Sequence, residues 1–64
     1  MTTQLLLQAA MPENTCLVLT KIDRGFSVVL YDHDAAEYLP TAVIFKTRHE
    51  AQRYFDREVD SAMW

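Results

Sequence analysis

The chain has 64 residues, half of them apolar and 23% charged, with nine acidic against six basic side chains and a formal net charge of −3. This length makes residues 1–64 a single small globular domain, burying only about 60% of its unfolded surface and leaving little material to wall an enzyme pocket of about 300 Å³ or more. The apolar fraction excludes a disordered chain, and the acidic balance argues against direct contact with nucleic acid, whose phosphates call for an excess of Lys and Arg.

The N-terminal MTTQLLLQAAM has an apolar patch with no Lys or Arg ahead of it and is far shorter than the ~20 residues of a membrane span. It reads as part of a cytoplasmic protein without a leader. The residues are good helix formers, Thr2 or Thr3 can cap them, and Pro12 closes the run, so a short first helix is expected over residues 3–10. The contiguous leucines also fit an extended strand. Cys16, the only cysteine, lies in the run CLVL, has no partner for an intramolecular disulfide and reads as a buried, inert thiol.

The β-branched and aromatic runs TCLVLTKI and FSVVLY, separated by Asp23, Arg24 and Gly25, predict a hairpin with a three-residue loop. PTAVIFK predicts a third strand over residues 41–46, reached through the loop 33–40. Thr47 and Glu50 then form a capping box, in which hydroxyl and carboxylate each satisfy an orphan N–H. The helix that follows carries Ala51, Tyr54, Phe55, Val59 and Ala62 on one face. The expected fold is therefore α+β: a three-stranded antiparallel meander with a C-terminal helix packed on one face and a short N-terminal helix. Both sheet faces are apolar, Val28 and Leu30 pointing one way and Val29 and Tyr31 the other. The second face needs either the N-terminal helix or another molecule to cover it.

Antiparallel strands put loops alternately at the two ends of the sheet. Glu13, Asp32, Asp34 and Glu37 fall at one end, and the C-terminal helix, starting at the other end and running back, is expected to bring Glu58 and Asp60 there with its own negative dipole pole. Lys21, Arg24, Lys46 and Arg48 collect at the opposite end, diluted by Asp23 and Glu50. A polarised domain of this kind attracts basic partners.

Other chemistries of VVLYDHDAAEYLP fit less well. Asp32, His33, Asp34 and Glu37 lack the paired His or Cys of zinc sites and the alternating oxygens and central Gly of a calcium loop, and His49 lies across the sheet. No nucleophile neighbours His33, which reads as a surface bystander, and one glycine in the whole chain gives no phosphate loop. No catalytic residue, cofactor or metal is expected. The acids either bound a solvated turn or form a collective surface in which carboxylates stand where nucleic-acid phosphates would, with Tyr31 and Tyr38 beside it as anchors.

Over its whole length the chain resembles, in size, charge and layout, the small acidic proteins encoded by phages and mobile elements. Among these it is similar to anti-CRISPR proteins that act as DNA mimics. The resemblance implies a stoichiometric, non-enzymatic inhibitor in the bacterial host cytoplasm, competing with target DNA for Lys and Arg on a CRISPR effector (Cascade) subunit. Its partner-binding residues would be Asp32, Asp34, Glu37, Glu13, Glu58 and Asp60, with no cofactor, no direct nucleic acid and no membrane. The rival reading is a small homo-oligomeric accessory module, such as a homodimer, that binds through the second, apolar sheet face.

Overall fold

The computed structural model describes residues 3–62. Five strands, β1 (Gln4–Met11), β2 (Thr15–Ile22), β3 (Gly25–Asp32), β4 (Glu37–Tyr38) and β5 (Val43–Phe45), form one antiparallel sheet, and α1 (Arg48–Ala62) closes the chain. The α+β class, the meander of β2, β3 and β5, and the C-terminal helix are as the sequence implies.

The first helix expected over residues 3–10 is instead the edge strand β1, paired along β2 from Gln4↔Lys21 to Met11↔Thr15. Helix propensity loses here because eight residues cannot sustain a helix without packing, whereas pairing with β2 satisfies the backbone and buries one side. A register shift between Leu5 and Leu7 marks a bulge. The bulge lets Leu6 and Leu7 both join the core before Ala9 and Met11 continue the alternation. It also makes the three leucines look aperiodic in the sequence. The reversal uses Pro12, with Glu13 and Asn14 both left-handed at φ 64° and 57°. The Thr15 hydroxyl closes it by donating to the Pro12 carbonyl at 2.8 Å.

The β2–β3 loop is shorter than expected: Ile22 pairs with Gly25, leaving only Asp23 and Arg24 in the turn. Glycine is needed at position 25 for two reasons. Its φ is 143°, and a Cβ there would sit 2.2 Å from the Phe45 carbonyl oxygen. The third strand is also shorter than expected. β4 and β5 both pair with the same edge of β3, β4 at Tyr31 and Asp32, β5 from Phe26 to Val28. Between them the register slips by two residues around Pro40, which has no N–H to give to a ladder and so belongs on an edge.

Thr47 caps α1, accepting from the Glu50 N–H at 3.3 Å. The Glu50 carboxylate accepts from the Thr47 hydroxyl at 3.0 Å rather than from the Thr47 N–H, so half of the expected capping box is formed in the expected way. Ala51 and Phe55 are buried against Leu17, Leu19 and Val28, with Tyr54 and Val59 packed around them. α1 touches β1, β2, β3 and β5.

Two substitutions test this backbone in opposite directions. Gly25→Ala should lower stability by at least about 2 kcal/mol, through the forced φ and the collision with Phe45. Ala36→Gly, at a position held at φ 55°, should raise it by about 1 kcal/mol, shifting the thermal midpoint upward by about 4–8 °C. A Gly25→Ala variant that melts with wild type, or an Ala36→Gly variant with a lowered midpoint, would contradict these turn geometries.

Candidate functional site

Four of the acidic residues singled out in the sequence come together on adjoining turns. Thr15 pairs with Asp32, and Asp32 with Glu37. The His33 N–H donates to the Asn14 carbonyl at 3.1 Å, and the Asn14 side-chain amide donates to Asp34 Oδ1 at 2.8 Å. These bonds bind the Glu13-containing turn to the turn that carries Asp34. Asp32 has a local duty as well: its Oδ1 accepts from the N–H groups of Asp34 at 2.9 Å and Ala35 at 3.4 Å. This is the Asx turn that ends β3.

Asp32 and Glu37 sit directly opposite each other across β3 and β4. Like charges so placed destabilise a sheet. By strand alternation both lie on the side of the sheet that α1 covers, whereas Asp34 and Glu13 are exposed at the turn tips. Glu58 is half-buried and Asp60 exposed in the last turns of α1, and among the described residues no hydrogen bond ties either to the turns. No three His, Cys, Asp or Glu side chains among the described residues converge as metal ligands. Among the described residues no helix is long and apolar enough to cross a membrane.

The opposite face of the sheet, away from α1, has no covering element among the described residues. Register and alternation place three rows on it. Ala10, Cys16, Tyr31 and Tyr38 lie nearest the acidic end, then Gln8, Val18 and Val29, then Leu5, Thr20, Ser27 and Ile44. Val18 is 5% exposed and Ser27 8%, yet neither belongs to the core beneath α1. They are the floor of this face, shielded by taller neighbours. Leu5, Tyr38 and Ile44, at 53%, 59% and 53% exposure, all stand on it. Tyr31 is its aromatic centre, meeting Tyr38 edge-on at 5.0 Å and His33 edge-on at 5.2 Å between ring centroids. His33 is thus exposed but engaged in an aromatic group. Cys16 is half-buried on this face rather than enclosed in the core. A shallow groove of about 350 Å³ runs over Val18 between Leu5 and Tyr38.

Leu5 escaped sequence reasoning because its segment read as a helix. The opposed facing of Ile44 against Val43 and Phe45 was readable from alternation, but which side α1 would take was not. Comparison with protein-family models, with curated proteins and with solved structures finds no match for the chain.

Removing the charge of Glu37 while keeping its shape isolates the like-charge pair. Glu37→Gln should stabilise the fold by about 0.2–1 kcal/mol at low salt, and the gain should shrink as ionic strength approaches about 1 M. Urea midpoints at the two salt concentrations measure this; a destabilised or salt-indifferent variant would contradict the pairing.

Proposed function

We propose that the protein acts without catalysis, by binding a basic protein surface through its acidic turn end. The observation that supports this reading is the gathering of Glu13, Asp32, Asp34 and Glu37 on two bonded turns, including two acids set directly opposite each other across β3 and β4. A solvated turn has no need of such a pair. A surface that must present closely spaced negative charge does, because duplex DNA carries one phosphate charge per ~1.7 Å of axis.

The natural target of such a surface is a site built for nucleic acid, lined by Lys and Arg. The same chemistry is what the resemblance to DNA-mimic anti-CRISPR proteins implies: stoichiometric occupation of the target-DNA site of a CRISPR surveillance complex in a bacterial host. Glu58 and Asp60 extend the negative charge along the C-terminal turns of α1, where the helix dipole has the same sign.

The test is binding to a purified Cascade-type complex in competition with its target DNA. The variant is Glu13→Lys, Asp34→Lys and Glu37→Lys together, leaving Asp32 to hold its turn. A folded triple variant should bind at least about tenfold more weakly, and wild-type binding should weaken as ionic strength rises from about 0.05 to 0.5 M. A folded triple variant that binds and competes as well as wild type would overturn the proposal.

A further inference from the structure

The open sheet face is self-complementary, and we propose that its occupant is a second copy of this chain, packed sheet to sheet with the strands of the two copies antiparallel. A two-fold axis lying along the middle row, through Gln8, Val18 and Val29, exchanges the two outer rows between copies. Tyr31 and Leu5 then meet small side chains, and the protruding Tyr38 and Ile44 meet each other. Tyr31 faces Ser27 of the second copy on the floor of the face, Ala10 faces Leu5, and Tyr38 faces Ile44. The half-exposed Leu5, Tyr38 and Ile44 are all covered by this one contact.

Charge selects the orientation. In the antiparallel arrangement the exposed turn tip of Asp34 and Glu13 lies over the hairpin end of the other copy, where Arg24 and Lys46 are exposed and outnumber the exposed Asp23. A parallel arrangement would set acid on acid. Asp32 and Glu37, on the α1 side, stay outside the contact. The pair would therefore carry an acidic patch at each of its two ends.

The area fits a weak, reversible pair. With strands about 4.8 Å apart and about 3.4 Å of rise per residue, three strands of eight residues and the five residues of β4 and β5 make a face of about 470 Å², within Cα extents of 29 × 25 Å. Two such faces bury about 950 Å², the size of a transient interface.

Sedimentation equilibrium of the full chain from about 1 to 500 μM decides the matter. Wild type should fit a monomer–dimer equilibrium with twice the single-chain mass at the upper end. Ile44→Lys, at a position exposed in the single chain, should keep the circular dichroism of wild type and dissociate roughly tenfold or more readily. At low salt Arg24→Glu and Asp34→Lys should each weaken association several-fold, and combining them in one chain should restore it. A single-chain mass throughout, leaving the face free for an unlike partner, would overturn the proposal. So would a dimer indifferent to Ile44→Lys, as pairing through the β1 edge would give. An Asp34→Lys variant that associates more tightly would overturn the antiparallel orientation. None of these readouts involves a basic partner, so failure here is distinct from failure of the acidic-end reading.

Discussion

A sheet with two apolar faces and a single helix to cover them is the constraint from which the rest of this structure follows. α1 spends Ala51 and Phe55 on Leu17, Leu19 and Val28, and no described segment remains for the other side. In a larger domain a second layer would close that face. Here Val18 and Ser27 are shielded only by the side chains beside them, and Leu5, Tyr38 and Ile44 stand largely in solvent. A core of this size contributes only a few kcal/mol, so an uncovered face matters to stability as well as to recognition.

The strand β1 carries much of this outcome. As a helix on the open face, residues 3–10 would have completed a three-layer domain with no sheet face left open. As an edge strand they widen the sheet, deepen the core through Leu6 and Leu7, and enlarge the open face with Leu5 and Ala10. The strand has no charge and no proline, unlike the opposite edge, where Pro40 and a two-residue slip interrupt pairing. The turn that makes β1 possible also sets Glu13 and Asn14 beside Asp34. One local choice of backbone thus shapes both candidate surfaces.

The hairpin, the meander and the capped helix were legible because each has a local signal: β-branched runs, a Gly after Asp-Arg, and Thr47 three residues before Glu50. The gathering of Glu13, Asp32, Asp34 and Glu37 was legible too, since it follows from strand direction alone. What was hidden depended on contacts between distant segments. The bulge at Leu6 erased the alternation that marks a strand, and Gly25 was needed for the approach of Phe45, twenty residues on, as well as for a turn. The aromatic group of Tyr31, Tyr38 and His33 required the β3–β4 register, which a two-residue strand hardly announces. Which face α1 covers is a choice between two apolar rows of similar composition.

The central claim, that this chain leaves one apolar sheet face for another copy of itself to cover, is tested most directly by the dependence of thermal stability on protein concentration. If a second copy covers the face, mass action ties folding to association, and the thermal midpoint should climb steadily over about a hundredfold rise in concentration. A midpoint that stays constant over that range would contradict the account.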